Sequence, residues 1–308
     1  MSRLRPPARS PHLLACRQAV RRAYAGGRIT VGLSGGPDSL ALSAAIAAEG
    51  LPAQVLCVDH GLQGGSDAIA REALRRAREW GLDGSIRTLD LPAGPNMEAR
   101  ARDARYQALA QAAGGGEIWV AHTAEDNAET LLLGALRGNP AGMAVRRGSV
   151  VRPLLALRRA DTEGACRELG VSWWRDPHNG DPAYRRVALR QRVLPLLGEI
   201  TGGDPIPALA RAAAKIAEDD AFLQGITPDA RGLSCEDLAE LAPAVRRRAL
   251  ADWLRDQGID VTQAAIEGVE RLCTQWRGQG PVAVGGDRSR RIVVRRRGGR
   301  LETSAEPR

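Results

Sequence analysis

The sequence predicts an α/β protein with a parallel sheet, followed by a smaller, mainly helical domain. Two observations support this fold class. Between residues 28 and 137, short apolar runs alternate four times with longer helical segments, and a glycine-rich turn follows the first run. Strands that alternate with helices in this way form parallel sheets covered on both faces. Beyond Ala141 the alternation is lost and helical patterns dominate, which indicates the second domain.

The elements of the first domain follow from this alternation. The four expected strands, short and aliphatic, cover residues 29–33, 54–59, 86–91 and 117–121. The four expected helices cover residues 38–48, 66–80, 96–113 and 123–137. Ligands of such sheets bind at the carboxyl ends of the strands. Polar residues follow the first, second and fourth strands, so we expect the functional site at that edge.

The remaining chain is less regular. Helices are expected over residues 158–169, 182–197, 208–224 and 262–275, with one or two more within 235–257 and short strands within 281–303. The turn-forming residues 202–205 mark a plausible boundary. We therefore expect an N-terminal helix or extension over residues 1–27, a catalytic domain over 28–200, and a smaller domain over 206–308 that is helical with a basic, strand-like tail.

The most informative motif lies between the first strand and the first helix of the sheet. It consists of six consecutive residues, Ser34-Gly35-Gly36-Pro37-Asp38-Ser39. A glycine-rich turn in this position points backbone N–H groups and the positive end of a helix dipole at one spot, which suits a polyphosphate. The chain's one lysine, Lys215, is far from any glycine-rich turn, which excludes a Walker-type loop. Asp38 beside phosphates implies Mg²⁺ or a cationic substrate.

Charge and cysteine content restrict the class of protein further. The chain has 308 residues and a net charge of +8, with arginines clustered at residues 288–300. That cluster is either a phosphate-contacting surface or a solvated charge run. The five cysteines are scattered, which argues against a disulfide framework, a zinc ribbon and an iron–sulfur cluster. Because no apolar run approaches membrane-spanning length, we expect a cytoplasmic protein with no membrane partner.

Acidic residues open the helix after the fourth strand. Asp126 and Glu129 are three residues apart and share a helix face, and His122 precedes them. Acidic residues there also stabilise a helix start, so capping is an alternative role. A carboxylate pair one turn apart suits an amine or Mg²⁺. Arg102 and Tyr106 are one turn apart on the preceding helix, a pattern more often typical of a solvated face.

Taken together, these motifs resemble the tRNA(Ile)-lysidine synthase family of the N-type ATP pyrophosphatase (PP-loop) superfamily. The loop alone identifies only the superfamily. The segments that match the family in order are the loop itself and residues 58–62, 98–106, 122–130, 152–155, 176–179 and 184–190, so the resemblance covers residues 28–197. It implies an adenine nucleotide alpha hydrolase-like fold for the first domain.

The resemblance also implies an activity. The family ligates free L-lysine to C2 of the wobble cytidine of tRNA(Ile) with a CAU anticodon, forming lysidine. The reaction proceeds through an adenylated cytidine and releases pyrophosphate and AMP. ATP as co-substrate, Mg²⁺, free L-lysine and that tRNA are therefore the expected cofactors and partners. A homodimer is compatible with the sequence.

Residue roles follow from the same resemblance. The ATP-binding residues are those of the loop, Ser34, Gly35, Gly36, Pro37, Asp38 and Ser39, together with Asp59 and His60. The lysine and cytidine site contains Arg102, His122, Asp126 and Glu129. Asp38 is the expected acceptor of the lysine proton. Arg186 or Arg190 is expected to face phosphate or the charge that develops in the transition state.

The chain departs from the family pattern at two places. Glu125-Asp126-Asn127 stands where the family commonly has Asp-Asp-Gln, and Gln63 stands near a common arginine. We expect the first change to shift the base or the lysine. A tRNA thiolase, a catalytically silent tRNA-binding protein and a small-molecule amidating enzyme are alternatives. The scattered cysteines argue against a thiolase, and the retained Asp38 argues against a silent binding protein. A small-molecule amidating enzyme would not account for the basic tail.

Overall fold

A computed structural model describes residues 4–59, 65–89, 97–174, 180 and 182–307. The predicted site residue His60, the departure at Gln63 and the matching segment 176–179 lie outside the described residues. The chain divides into two compact units, Met1–Ala217 and Glu218–Arg308. No helix among the described residues is both long and apolar enough to cross a membrane.

The first unit contains a six-stranded sheet with the spatial order β3-β2-β1-β4-β6-β5. Its strands are β1 (Ile29–Gly32), β2 (Ala53–Asp59), β3 (Asp83–Thr88), β4 (Glu117–Trp119), β5 (Arg146–Arg147) and β6 (Val150–Val151). All neighbours pair in parallel except β5 and β6, which form an antiparallel pair at one edge. The predicted parallel sheet is therefore confirmed.

The third strand is shifted relative to the expectation from sequence. It begins at Asp83 and ends at Thr88, not at residues 86–91. An edge strand is solvated on one side, so polar residues such as Ser85 and Arg87 alternate with Ile86 and obscure the apolar signal. A side chain at Gly84 would meet Val55 at 2.3 Å, so the close approach of the two strands requires glycine there.

Helices surround the sheet and bring distant segments together. They are α1 (Pro11–Ala23), α2 (Pro37–Glu49), α3 (Ser66–Glu79), α4 (Met97–Ala113), α5 (Ala124–Ala135) and α6 (Arg159–Glu168). The helix α2 is buried from Ser39 to Ala47, and it packs against both α1 and α6. Its first turn therefore lies beside the first turn of α6, far away in sequence.

The helix expected over residues 182–197 is interrupted. The chain forms a short helix α7 (Arg185–Ala188), a π-helical turn (Leu189–Val193) and a helix α8 (Leu194–Thr201). A π-helical turn contains an extra residue and rotates the side chains that follow it, and such turns are common at functional sites. Arg190 lies in this turn.

A long helix, α9 (Ile206–Ile226), runs from the first unit into the second. Among the described residues, the second unit continues with a 3-10 turn (Ala230–Gly232), α10 (Cys235–Glu240), α11 (Pro243–Asp256), α12 (Gln263–Thr274), β7 (Val282–Gly286), β8 (Arg290–Arg297) and β9 (Arg300–Pro307). The three strands form an antiparallel sheet around β8. Leu250, Leu254 and Val294 are in the core between helices and sheet. The smaller, mainly helical C-terminal part of the predicted fold class is thus confirmed, and it ends in a small antiparallel sheet.

Candidate active site

The glycine-rich turn connects β1 to α2, and one serine side chain fixes its shape. The Ser39 hydroxyl accepts a hydrogen bond from the Ser34 backbone N–H at 3.1 Å and donates one to the Gly36 carbonyl at 3.0 Å. Gly35 has a φ of +81°, and a side chain there would meet Ile69 at 3.0 Å. The turn therefore places the N-terminus of α2 at the carboxyl edge of the sheet, where an anion is favoured.

Asp38 lies in the first turn of α2, immediately after Pro37, and contacts α6. Its carboxylate accepts a hydrogen bond from the Thr162 hydroxyl, and Arg159 Nε is 3.8 Å from its Oδ2. Burial raises the pKa of Asp38 to about 6, although the Thr162 hydrogen bond and Arg159 both lower it. A carboxylate with this pKa can accept a proton near neutral pH.

Arg159 joins the loop to the acidic helix. Its Nη2 is 3.2 Å from Asp126 Oδ1, while its Nε is 3.8 Å from Asp38 Oδ2. Its backbone N–H donates to Glu125 Oε2 at 2.9 Å, and Glu125 Oε1 accepts from Arg158 Nε at 2.7 Å. Sequence reasoning missed Arg159, because two adjacent arginines before a helix look like a solvated pair. Their position just after the matching segment 152–155 was the available signal.

Asp126 has two roles in the structure. Its Oδ2 accepts hydrogen bonds from the Thr123 backbone N–H at 2.8 Å and from the Thr123 hydroxyl at 3.1 Å, which caps α5. Its other oxygen faces Arg159. Burial would raise the pKa of Asp126, but Arg159 and the Thr123 hydrogen bonds lower it overall. The side chain therefore stays ionised. Asp126 caps α5 and contacts Arg159 at the same time, so the capping role and a role in the site are compatible.

Glu129 is fully buried and contacts both arginines that the sequence singled out. Its Oε1 accepts from Arg190 Nε at 3.0 Å and from Arg190 Nη2 at 2.8 Å, while Arg186 Nη1 is 3.5 Å from Oε2. Oε2 itself has no hydrogen-bond partner among the described residues. Burial raises the pKa of Glu129, against the effect of Arg190. The two arginines are thus brought to the acidic helix.

His122 and Arg102 lie on the neighbouring side of the sheet edge. Burial lowers the pKa of His122 to about 3, and Arg152 and Arg102 lower it further against the effect of Asp126. The imidazole is therefore neutral at physiological pH. Its Nδ1 has no hydrogen-bond partner in the described part of the chain. Arg102 is exposed, with its guanidinium 5.2 Å from the centroid of the Tyr106 ring.

Asp59 and the residues that replace the common family pattern, Glu125 and Asn127, are all buried near the carboxyl edge of the sheet. Asp59 is 7% exposed at the carboxyl end of its strand. Asn127 is buried, and its Oδ1 accepts from the Met143 backbone N–H at 2.8 Å. Glu125 is likewise bound to Arg158 and Arg159. Both replaced positions therefore hold neighbouring segments around Asp126.

A cavity of about 270 Å³ lies beside the loop. Gly35, Leu40, Ile69 and Trp174 are among its lining residues, and most of the lining is apolar. The Trp174 backbone N–H donates to the Gly35 carbonyl at 3.2 Å, which attaches this segment to the loop. The cavity therefore offers a mainly apolar surface beside the glycine-rich loop.

The residues near the loop fit Mg²⁺ only in combination with a ligand. Among the residues that the structure describes, no three His, Cys, Asp or Glu side chains are grouped as metal ligands. Mg²⁺ generally keeps several waters and is held by one or two carboxylates plus substrate phosphates. An ion held in this way would be bound mainly by the phosphates of the nucleotide and by water.

The cysteines do not form a reactive centre. All five are free and buried. Burial raises the pKa of Cys16, Cys57, Cys166 and Cys273 to about 12. Thiols with such pKa values are almost wholly protonated at neutral pH and are poor nucleophiles. This chemistry does not suit sulfur transfer.

Solved structures support the fold. The U34-tRNA thiolase NcsA from Methanococcus maripaludis superposes with a TM-score of 0.53 at 14% sequence identity, over 76% of this chain and 86% of that one. At this identity the likeness concerns the fold alone. It agrees with the parallel-sheet fold described above.

Sequence comparisons reach the level of the family. A model described as a PP-loop domain matches residues 14–197, and one described as a TilS substrate binding domain matches residues 233–302. The chain is 48% identical over 305 residues to the tRNA(Ile)-lysidine synthase of Corynebacterium glutamicum, with 96% of each chain covered. It is 43% identical over 318 residues to that of Rhodococcus erythropolis, covering 97% of this chain and 98% of the relative. The resemblance seen in the motifs is confirmed: the chain belongs to the tRNA(Ile)-lysidine synthase family.

Proposed function

We propose that the protein ligates free L-lysine to C2 of the wobble cytidine of tRNA(Ile) with a CAU anticodon, using ATP. The observation that carries the proposal is the position of Arg159, which reaches Asp38 of the phosphate loop and Asp126 of the acidic helix. A nucleotide-binding turn and a cation-binding helix therefore form one site. The near full-length similarity to tRNA(Ile)-lysidine synthases supports the same reaction.

In the first step, the cytosine O2 attacks the α-phosphate of ATP. An O–P bond forms, the bond to the bridging oxygen breaks, and pyrophosphate leaves. The backbone N–H groups at the start of α2, shaped by Gly35 and Ser39, hold the leaving phosphates. Mg²⁺ would be held by those phosphates, and it would neutralise the charge that develops on them. The apolar cavity beside Gly35 supports binding of the adenine base.

In the second step, the lysine Nε attacks C2 of the adenylated cytidine, and AMP leaves with the former O2. The amine must lose a proton, because a lysine ammonium has a pKa of about 10.4. Asp38 accepts that proton. Burial raises its pKa to about 6, which is closer to the neutral pH at which the base must act. Neutral His122 lines the same region without adding charge.

Recognition of lysine is assigned to the two helices at the sheet edge. Glu129 Oε2 is buried without a hydrogen-bond donor among the described residues, so it can accept an ammonium. Asp126 supplies the second negative charge, and Arg102 on α4 pairs with the lysine carboxylate. Arg190 and Arg186 fix Glu129, and either one can turn toward phosphate when the substrates are present.

The location and assembly of the protein follow from its proposed substrate. Free lysine, ATP and tRNA meet in the cytoplasm, where we place the protein. A homodimer remains a proposal, to be tested by sedimentation of the purified protein.

The test is direct. The purified protein is incubated with ATP, Mg²⁺, isotope-labelled lysine and a transcript of tRNA(Ile) with a CAU anticodon, and the wobble nucleoside is examined by mass spectrometry. We expect the mass of lysidine. A transcript of tRNA(Met), which has the same anticodon, is the matched control for specificity. Absence of lysine addition under conditions where the tRNA binds would refute the proposal.

A further inference from the structure

Thr162 is a fully buried residue in the first turns of α6, and its hydroxyl is within reach of two acceptors. One is the Asp38 carboxylate, and the other is the Arg159 carbonyl at 2.9 Å. A hydroxyl carries one proton and two lone pairs. It can therefore donate to only one of these acceptors at a time.

The choice between the two acceptors depends on the state of Asp38. When Asp38 is ionised, the hydroxyl donates to the carboxylate, which is the stronger acceptor. When Asp38 is protonated, its O–H can donate to the threonine oxygen, and the threonine proton turns to the Arg159 carbonyl. Both states are hydrogen-bonded with no movement of the backbone. This matters because a buried polar group without a partner is costly.

We propose that Thr162 is a positioning residue for proton acceptance: its rotating hydroxyl holds Asp38 in one orientation before and after the lysine proton arrives. The inference rests on the proposed function of Asp38. The proton moves from the lysine Nε to an Asp38 oxygen, and the hydroxyl only rotates, so no bond to Thr162 is made or broken.

Other charged and titratable groups around Asp38 come from three helices. They are Arg159 and Cys166 on α6, Asp126 and Glu125 on α5, and Cys16 on α1. None of them is altered by a change at Thr162. Arg159 alone cannot replace the hydroxyl, because it is 3.8 Å from Asp38 and donates to Asp126 at 3.2 Å.

The test compares Thr162→Val, which keeps the shape and removes the hydroxyl, with Thr162→Ser, which keeps the hydroxyl. Pyrophosphate release without lysine reports the first step, and lysine incorporation across a pH series reports the second. For Thr162→Val we expect near-normal pyrophosphate release, about tenfold slower lysine transfer, and an acidic limb shifted upward by about one pH unit. Thr162→Ser should behave as the wild type.

A second readout does not depend on activity. The pKa of Asp38 is measured by NMR of ¹³C-labelled aspartate, with Asp38→Asn used for assignment. It should be higher in Thr162→Val than in the wild type and in Thr162→Ser. Equal pKa values and pH profiles in all three proteins would overturn the inference. Absence of lysine incorporation by the wild type, together with the expected pKa change, would refute the proposed function and leave the contact intact.

A second, independent observation concerns Trp276 in the second unit. Trp276 follows α12 and is 38% exposed, whereas Trp80, Trp119 and Trp253 are nearly or fully buried. The Arg296 guanidinium lies 5.5 Å from the centroid of the Trp276 ring. Arg296 is itself held by Glu236 and by the Leu272 carbonyl. A charged plane therefore lies against the tryptophan, and 38% of its surface remains exposed to solvent.

The turn that carries Trp276 is held in place by Gln279. The Gln279 amide oxygen accepts from the Arg277 backbone N–H at 2.6 Å, and its Nε2 donates to the Gln275 carbonyl at 3.2 Å. Gly278 has a φ of +82°, which completes the turn. An exposed aromatic ring on an ordered turn loses little entropy when it binds a planar partner.

We infer that Trp276 stacks against an unpaired nucleobase of the tRNA substrate. Aromatic stacking combined with arginine is the usual way in which proteins hold single-stranded RNA. Exposed Arg277 next to the ring and the arginines of β8 supply the positive charge that an RNA backbone needs. This inference rests on the proposed tRNA substrate.

The test measures tRNA affinity for Trp276→Ala and Trp276→Phe, with Phe222→Ala as the control because Phe222 is an exposed aromatic residue of the same unit. We expect binding about tenfold weaker for alanine, an intermediate loss for phenylalanine, and no change for the control. The salt dependence should be unchanged, since no phosphate contact is removed. Equal affinities of Trp276→Ala and Phe222→Ala would overturn the inference, whereas no tRNA binding by the wild type would contradict the proposed function.

Discussion

Arg190 donates two hydrogen bonds, 3.0 and 2.8 Å long, to a single carboxylate oxygen of the fully buried Glu129. Replacing Arg190 by methionine leaves that charge with Arg186, 3.5 Å away, and the more distant Arg159. We expect the free energy of unfolding at pH 7 to fall by about 3 kcal/mol, the lower end for breaking a buried pair, because Arg186 remains. Urea unfolding measures this. The double variant Arg190→Met with Glu129→Gln should recover part of the loss, because no buried charge is left. A double variant as unstable as Arg190→Met would show that the unpaired charge of Glu129 does not cause the loss.

Asp38→Asn should abolish lysine transfer while tRNA binding is retained, because the amide cannot accept the lysine proton. The same variant should be more stable than the wild type at neutral pH. The folded-state pKa of Asp38 is raised to about 6, above its ordinary value of 3.8, so ionising Asp38 costs stability as the pH rises through that window.

The stability gain of Asp38→Asn should be about 3 kcal/mol at pH 7 and largely vanish below about pH 4. Unfolding curves at the two pH values measure it, and tRNA binding with wobble-nucleoside mass spectrometry measures function. Unchanged lysine transfer would remove Asp38 from the mechanism.

Two adjacent glycines of the loop should respond differently to alanine. Gly35 has a φ of +81°, and a side chain there would meet Ile69 at 3.0 Å, so Gly35→Ala should lower stability by about 1–3 kcal/mol. Gly36 has a φ of −77°, and its nearest neighbour would be Ser34 Oγ at 3.6 Å. Gly36→Ala should keep the stability of the wild type and lose ATP affinity, because the added methyl group obstructs the phosphates. Thermal unfolding and ATP titration distinguish the two effects.

The contribution of each arginine of β8 to tRNA binding should depend on whether it already forms an ion pair within the protein. Arg291 and Arg295 both pair with Glu306, whereas Arg290 and Arg297 have no ion pair among the residues described. Replacing Arg290 and Arg297 with glutamine should weaken tRNA binding and reduce the slope of log affinity against log salt by about 2. The matched change at Arg291 and Arg295 should reduce it less. Equal slopes for the wild type and both double variants would indicate a solvated charge run.

The sequence was sufficient for the features that depend on local pattern. Apolar runs and turns predicted the parallel sheet, and the carboxyl ends of its strands gave the location of Asp38 and Asp126. The contacts of Arg159 and Thr162 with Asp38 could not be predicted, because they arise where the first turn of α6 packs beside that of α2. Nothing local in the sequence marks such a tertiary contact.

Two local features were also hidden from the sequence. The π-helical turn at Leu189–Val193 has no residue signature, so the arginines around it looked like part of one regular helix. The strand β3 was shifted, because its polar edge residues carry little apolar signal. The role of Asn127 depended on a contact with Met143, across a loop whose path only the folded chain reveals.

The cap of α5 has a consequence for genetics. Asp126 holds the helix start through Thr123, and its other oxygen contacts Arg159, which reaches Asp38 of the glycine-rich loop. If the proposed role in lysine binding is correct, we expect mutational scans to record lost folding and lost activity at this position as a single phenotype. Natural selection, likewise, can exchange Asp126 only if a second change rebuilds the helix start, so the position should tolerate drift far less than its neighbour Glu125.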